Sequence, residues 1–140
     1  MRKKEIEIPR EIVNQVLHHA QSSPDSEVCG LIASRHGAPA DCYPVKNTAD
    51  DPARRFNMDA KEQIDALRKI REKGEELFAI YHSHPTSAPT PSATDIEQAN
   101  YPDVLSLIIS LDTKGVLEMR GFRIKPNAPA EEVILLLTHN

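Results

Sequence analysis

Apolar residues recur at helical spacing in two parts of this chain. The first predicted helix opens after Pro9, and its apolar stripe consists of Ile12, Val13, Val16, Leu17 and Ala20. A second stripe follows a capping-box pattern at 59–62 and stops at Gly74. Its inward residues are expected to be Ile64, Leu67 and Ile70. A third helix is predicted to begin at Ser92 and to end before Pro102.

Short apolar runs between turn residues predict strands. In chain order these strands are 1–8, 27–33, 41–45, 54–58, 77–84, 104–111 and 116–124. His36-Gly37 is expected to be the turn of one hairpin, and 112–115 the turn of another. The segment 133–137 fits a last strand or a short helix. Strands outnumber helices and tight turns join many neighbours, which predicts an α/β fold with a mixed, mostly antiparallel sheet flanked by helices.

Length and composition favour a single globular domain over residues 1–140. The chain is 39% hydrophobic and 27% charged, an ordinary globular balance. Its 17 Lys and Arg residues are outnumbered by 21 Asp and Glu residues, giving a net charge of −4. A basic footprint for nucleic acid is therefore absent, and the lack of Trp argues against a base-stacking platform. The apolar stretches are too short to span a bilayer, so no membrane association is expected.

The two cysteines, Cys29 and Cys42, do not form a disulfide framework. With the hairpin turn at His36-Gly37, Cys29 is expected opposite Pro44 and Cys42 opposite Leu31. This offset predicts two free thiols. Two free thiols, together with a charged N-terminal segment that lacks the apolar core of a signal peptide, predict a cytoplasmic protein.

Two histidines and an aspartate are the candidate metal ligands. His82 and His84 alternate on a predicted strand, so their side chains point the same way, and Pro85 keeps His84 extended. Asp95, in the first turn of the third helix, can add a carboxylate oxygen. Two His and one Asp leave a fourth position open, the pattern of a catalytic zinc site. The alternatives are a pair of surface histidines and a helix capping box in which Ser92 and Asp95 only cap, since one carboxylate cannot fully serve both roles.

The segment His82-Ser83-His84-Pro85, with Ser92 and Asp95 downstream, resembles the JAMM (MPN+) metalloprotease motif, H-[ST]-H-P followed by S-x-x-D. That family also carries an upstream E-x-C-G-L-like strand, and this chain has Glu27-Val28-Cys29-Gly30-Leu31. The resemblance implies the MPN fold, a curved mixed sheet flanked by helices and related to cytidine deaminases. The deaminase signature itself, H-x-E with P-C-x-x-C, is missing.

The resemblance assigns roles to five residues. His82, His84 and Asp95 would bind one zinc ion per chain, and zinc lowers the pKa of a bound water towards 7. Glu27 would take the proton of the water and hand it to the leaving amine. Ser92 would donate a hydrogen bond to the oxyanion. From the residues alone, Glu27 is a carboxylate beside a strand, a position that is usually solvated.

The resemblance also implies a substrate. Short bacterial members of the family act on ubiquitin-like sulfur carriers that end in Gly-Gly, so the expected activity is hydrolysis of the amide bond after that tail. The polar loop 46–59 is the candidate flap, with Arg54, Arg55 and Phe56 as substrate-binding residues. Two alternatives stay open: a deubiquitinase-type isopeptidase and a non-catalytic MPN scaffold.

Overall fold

The computed structural model describes residues 4–99, 101, 103–112 and 117–139. Within these ranges the elements are β1 (Glu5–Pro9), α1 (Arg10–Ser22), β2 (Cys29–Arg35), β3 (Ala38–Val45), α2 (Ala60–Glu72), β4 (Glu76–His84), α3 (Ala93–Glu97), β5 (Leu105–Ser110), β6 (Glu118–Arg123) and β7 (Glu131–Thr138). Residues 1–3 of the first predicted strand and 113–116 of the second predicted hairpin lie outside the described residues. None of the described helices is long and apolar enough to cross a membrane.

The strands form one mixed sheet in the order β1-β7-β6-β5-β4-β2-β3. The pairs β1·β7 and β4·β5 are parallel, and the other described pairs are antiparallel. The two edge strands, β1 and β3, approach each other, so the sheet curls around α1. The predicted fold class is confirmed, and the undecided segment 133–137 belongs to strand β7.

Helix α1 fills the concave side of the sheet. Its buried residues are Ile12, Val13, Val16 and Ala20. They pack in one cluster with apolar side chains from β1, β2, β4, β5 and β7, including Ile8, Ile32, Tyr81, Leu107 and Val133. Full burial of a side chain of this size contributes about 1.5–3 kcal/mol, so this layer is the main core of the domain.

Helix α2 covers part of the opposite side, and it corrects one prediction. Ala66 and Ile70 are buried there with Leu31 and Val45, but Ile64 is 57% exposed. Residues two apart on a helix differ by about 200° in direction. Ile64 therefore points away from the sheet that its neighbour Ala66 contacts.

The chain between β3 and α2 is a loop rather than the strand expected over 54–58. Only a single bridge, between Asn47 and Met58, is formed in that described stretch. Backbone hydrogen bonds Thr48 N–H to Asn57 O (2.8 Å) and Asp59 N–H to Lys46 O (2.9 Å) fold the loop back on itself. We call residues 46–59 the flap loop.

The register of the β2–β3 hairpin differs by one residue from the prediction. Cys29 pairs with Val45 and Cys42 with Ile32, because a bulge follows the Ala33 pairing and adds one residue to β3. His36 and Gly37 form the turn with positive φ angles of 53° and 82°, as the two central residues of a tight hairpin require. Both cysteines are free, as predicted.

Gly30 on β2 leaves room for the aromatic ring of Tyr81 on the neighbouring strand β4. The two residues pair directly across the strands, and a Cβ on residue 30 would overlap the Tyr81 ring. Tyr81 is fully buried, and its hydroxyl lies 2.7 Å from His19 Nδ1 on α1. The absence of a Cβ at residue 30 therefore leaves the space that the Tyr81 ring occupies against β2.

Candidate metal centre

Strand β4 and helix α3 bring the three predicted ligands together. His82 and His84 project from the same side of β4 at its C-terminal end, and both are 2% exposed. Asp95 Oδ2 lies 3.1 Å from Nε2 of each histidine. The two Nε2 atoms are 3.2 Å apart. The three atoms thus form a nearly equilateral triangle.

The capping box at the start of α3 is present as well. Ser92 Oγ accepts a hydrogen bond from Asp95 N–H (3.0 Å), and Ser92 N–H donates to Asp95 Oδ2 (2.9 Å). Asp95 Oδ2 therefore takes part in the capping box and also faces the two histidines. One oxygen atom can thus serve both roles, helix cap and metal ligand, that the sequence analysis treated as alternatives. The capping hydrogen bond fixes the carboxylate so that Oδ2 faces the histidines.

The loop after Pro85 orients the ring of His84. His84 Nδ1–H donates to the carbonyl oxygen of Ala88 at 2.8 Å, so Nε2 is the ring nitrogen that faces Asp95 and the triangle. A backbone carbonyl that accepts from the second ring nitrogen is a typical partner of a metal-ligating histidine. Nothing in the residue types of 86–88 indicates this contact, since it depends on the path of the loop.

The donor set fits a zinc ion. In a tetrahedral site with ligand distances of about 2.0–2.1 Å, neighbouring ligand atoms are about 3.3 Å apart. The three ligand edges here, 3.1, 3.1 and 3.2 Å, are close to that spacing. Glu27 joins the group, and one ligand atom from each of the four residues lies within 4.8 Å of the others.

Glu27 is buried beside this triangle, contrary to the solvated position that is usual for such a residue. It is 4% exposed, and its Oε1 is a buried side-chain atom without a hydrogen-bond partner among the described residues. Burial raises the pKa of Glu27 to about 7, while the charge of His84 opposes that rise and the charge of Asp95 adds to it. A carboxylate with this pKa can both accept and release a proton near neutral pH.

The electrostatics of the other groups follow from their contacts. Burial raises the pKa of Asp95, but hydrogen bonds from His82 and His84 outweigh it and hold this pKa far below its usual range. For His84, burial lowers the pKa, and the hydrogen bonds to Asp95 and Ala88 more than reverse that effect. Asp95 is thus a carboxylate across the ordinary pH range, as a metal ligand must be.

Cys29 takes no part in this chemistry. Its side chain is fully buried, its Sγ–H donates to Val45 O at 3.3 Å, and burial raises the pKa of its thiol to about 12. The residue is a small side chain of the core.

The flap loop brings Phe56 to the metal centre. The Phe56 ring stacks on His82, with ring centroids 4.5 Å apart and an interplanar angle of 24°. Arg54 and Arg55 are exposed on the same loop, and Arg54 lies 4.0 Å from Asp51. Among the three residues predicted to bind substrate, Phe56 alone lines the cavity described next.

An open cavity of about 390 Å³ leads to the cluster between α2 and α3. His82 and Asp95 form its inner end, Phe56 and Met58 one wall, and Ile80 and Ile124 its apolar floor. Gln63 of α2 and Tyr101 after α3 also line it. The sequence analysis did not single out these last two residues, because they come from segments that are distant along the chain.

The chain also resembles characterised proteins. Residues 9–125 match the family described as prokaryotic homologs of the JAB domain. A desampylase from Haloferax volcanii is 37% identical over 105 residues, which cover 71% of this chain and 76% of that protein. The CysO-cysteine peptidase of Mycobacterium tuberculosis is 30% identical over 129 residues, covering 91% and 88%. A solution structure of a Desulfitobacterium hafniense protein matches with a TM-score of 0.85 and 29% identity, covering 96% and 93%.

The curled sheet and the family match together define a hydrolase of the peptidase type. The matched range, 9–125, spans the cluster of Glu27, His82, His84 and Asp95. The chain belongs to the family of prokaryotic homologs of the JAB domain, which confirms the family resemblance seen in the sequence.

Proposed function

We propose that this protein is a zinc-dependent peptidase or isopeptidase that hydrolyses the amide bond after the C-terminal Gly-Gly of a ubiquitin-like sulfur-carrier protein. The observation that carries the proposal is the buried Glu27 beside the His82–His84–Asp95 triangle, two members of which, His82 and Asp95, line an open cavity. Two relatives, a desampylase and a CysO-cysteine peptidase, support the same class of reaction by their names.

His82, His84 and Asp95 would hold the zinc ion through Nε2, Nε2 and Oδ2. When bound, zinc supplies a more acidic water and an electrophile that polarises a carbonyl group at neutral pH. His84 Nδ1–H donates to Ala88 O, which orients the His84 ring, and Ser92 N–H donates to Asp95 Oδ2, so both ligand groups are held in place before the ion arrives. Such preformed orientation reduces the cost of ordering the site.

Glu27 would act as the proton carrier. Its Oε1 makes no hydrogen bond to the described residues, so it is free to accept the proton of the attacking water and to release it to the departing amine. Ser92 Oγ accepts from Asp95 N–H, and its own hydroxyl hydrogen can still be donated to the oxygen of the scissile carbonyl.

The cavity would hold the carrier tail in an extended form. Its apolar floor and the Phe56 ring leave a narrow approach to His82 and Asp95. Glycine suits such an approach because it lacks a Cβ that would contact the walls. Arg54 and Arg55 are exposed on the flap loop and would contact the carrier beside its tail. The two free thiols fit a cytoplasmic location.

Intact-mass analysis of a carrier fusion tests this function. A ubiquitin-like protein that ends in Gly-Gly plus one added amino acid should lose that amino acid when incubated with the zinc-loaded enzyme. Replacement of the last Gly by Val should slow cleavage about 100-fold or more, since one misfitted group near the reacting atoms can cost that much. Enzyme treated with a chelator should be inactive.

A second substrate separates the proposed carrier peptidase from a deubiquitinase. Ubiquitin chains should be cut much more slowly than the carrier fusion under the same conditions. Cleavage that survives removal of zinc, or equal cleavage of the Gly and Val tails, would contradict the proposal.

A further inference from the structure

The peptide group between Glu27 and Val28 is held from both sides by side chains of other segments. Asn47 Nδ2–H donates to the Glu27 carbonyl oxygen at 2.9 Å. The Val28 N–H donates to Ser83 Oγ at 2.9 Å. Glu27 N–H in turn donates to Pro52 O on the flap loop at 2.7 Å. The backbone that carries the Glu27 carboxylate is therefore anchored to both the flap loop and strand β4.

Asn47 uses all of its hydrogen-bonding capacity in this arrangement. Besides Glu27, its Nδ2 also donates to Arg55 O at 3.1 Å. Its Oδ1 accepts from Ala49 N–H and from Asn57 N–H, both at 3.0 Å. A side-chain amide offers two N–H donors and two acceptor lone pairs, so these four bonds saturate it.

The same side chain sets the position of Phe56. Phe56 lies between Arg55 and Asn57, and Asn47 binds a backbone group of each neighbour. This holds the segment from which the Phe56 ring stacks on His82. One asparagine thus connects the segment of the candidate base to the wall of the substrate cavity.

We propose that Asn47 is a positioning residue with two roles. Together with Ser83, it orients Glu27 towards the reacting atoms. Without Ser83, it also holds Phe56 over His82. The inference rests on the proposed function, since it assigns to Asn47 a part in the same reaction. Asn47 is neither a candidate ligand nor a cavity-lining residue, so its effect must pass through the segments it binds, those of Glu27 and Phe56.

Two substitutions separate these effects. Asn47→Asp keeps an oxygen that accepts from Ala49 and Asn57 but loses the donors to Glu27 and Arg55. It should lower kcat for the carrier fusion about 10- to 100-fold while KM stays within about 3-fold, because a displaced base affects the chemical step. Asn47→Ala loses both sets of bonds, so it should lower kcat similarly and also raise KM.

Matched controls accompany these variants. Thr48→Val removes another side-chain bond of the flap loop, Thr48 Oγ1–H to Asn57 O (3.0 Å), and leaves the Thr48 N–H bond to the same oxygen. It should keep kcat within about 2-fold, as expected for an exposed neutral site. Ser83→Ala should lower kcat, and the combined loss in Asn47→Asp/Ser83→Ala should be smaller than the product of the single losses, because both side chains hold one peptide group.

Amide hydrogen exchange supplies a readout that does not depend on activity. In the metal-free protein, Asn47→Ala should lose protection at Ala49 and Asn57, whereas Asn47→Asp should retain it. Zinc content should stay near one per chain in all variants.

The outcomes distinguish the two proposals. If the parent enzyme leaves the carrier fusion intact, the proposed function fails. If the parent cleaves it and Asn47→Asp cleaves with the parental kcat, the role of Asn47 is overturned while the function stands. A fall in kcat that matches a fall in zinc content would also overturn it, because the residue would then act on the metal site or on folding.

Discussion

The ring of Phe56 covers one face of the imidazole of His82, with centroids 4.5 Å apart and planes only 24° from parallel. A residue of the flap loop therefore shields a candidate metal ligand and at the same time forms part of the cavity wall. A substrate in the proposed binding cavity would therefore contact the same ring that covers His82.

Replacement of Phe56 should affect substrate more than metal. In Phe56→Ala the cavity loses an apolar wall, so we expect kcat/KM for the carrier fusion to fall about 10-fold or more while zinc content stays near one per chain. Phe56→Leu keeps apolar volume without the stacked ring, so its kcat/KM should lie between the values of the parent enzyme and Phe56→Ala. Steady-state kinetics with metal analysis of the same samples provides the measurement, and complete loss of zinc in Phe56→Ala would contradict the expectation.

Removal of any ligand should remove the metal. The purified protein is expected to hold about one zinc per chain, and His82→Ala, His84→Ala and Asp95→Ala should each lose most of it. Asp95→Asn is the sharper variant, because its amide oxygen can still accept from Ser92 N–H and preserve the helix cap. Elemental analysis after dialysis decides the matter. Zinc retained in full by Asp95→Ala would leave only the capping role for this residue.

Glu27→Gln should separate the base from the ligands. The amide is similar in size to the carboxylate but cannot carry the proton, so the zinc-loaded variant should keep its metal and fold and lose nearly all turnover. Ser92→Ala should also keep zinc and lose about 10²–10³ in rate, the usual cost of one oxyanion donor. A Glu27→Gln enzyme that cleaves at the parental rate would exclude the mechanism.

The raised pKa of Glu27 also predicts how metal-free stability depends on pH. The folded protein holds this proton up to about pH 7, whereas the unfolded chain releases it near its ordinary value of 4.5. The folded state therefore loses relative stability as pH rises between these values. Glu27→Gln removes this loss, so it should gain about 1–3 kcal/mol relative to the parent between pH 5 and pH 8.

Urea unfolding of both proteins in the presence of a chelator tests that expectation at each pH. His84 and Asp95, whose charges act on Glu27, are present in both proteins, so their own titration largely cancels in the difference. A stability difference that is the same at pH 5 and pH 8 would mean that burial does not raise the pKa of Glu27.

Gly30 and Gly121 form a matched pair for a stability experiment. In Gly30→Ala the new methyl group meets the ring of Tyr81, which is fully buried and held at its hydroxyl by His19. We expect a loss of about 2–3 kcal/mol from overpacking. In Gly121→Ala the methyl meets Leu135 Cδ2 at 2.9 Å and Val133 Cγ2 at 3.0 Å, and the end of the flexible Leu135 side chain can move. Thermal unfolding should rank Gly30→Ala below Gly121→Ala, and the reverse order would refute the role of the Tyr81 ring.

The alternation of a strand is the reason that the ligands could be predicted from the sequence. His82 and His84 lie two residues apart on β4, so their side chains share one face of the strand irrespective of the rest of the fold. Ser92 caps α3 through residues only three positions away in the sequence. The role of Asn47 could not be predicted, because its partners lie in segments that meet only in the tertiary structure. The one-residue error in the hairpin has a similar origin, since a bulge near Ala33 leaves no clear signal in residue type.

The parallel pairing of β1 with β7 has a consequence for folding during synthesis. Glu5 pairs with Ile134 and Pro9 with Thr138, so β1 finds its neighbour in the sheet only after most of the chain has left the ribosome. Closing so long a loop is slow and entropically costly. Helix α1 emerges early with its apolar stripe uncovered, and this stripe is fully covered only when β7 completes the sheet.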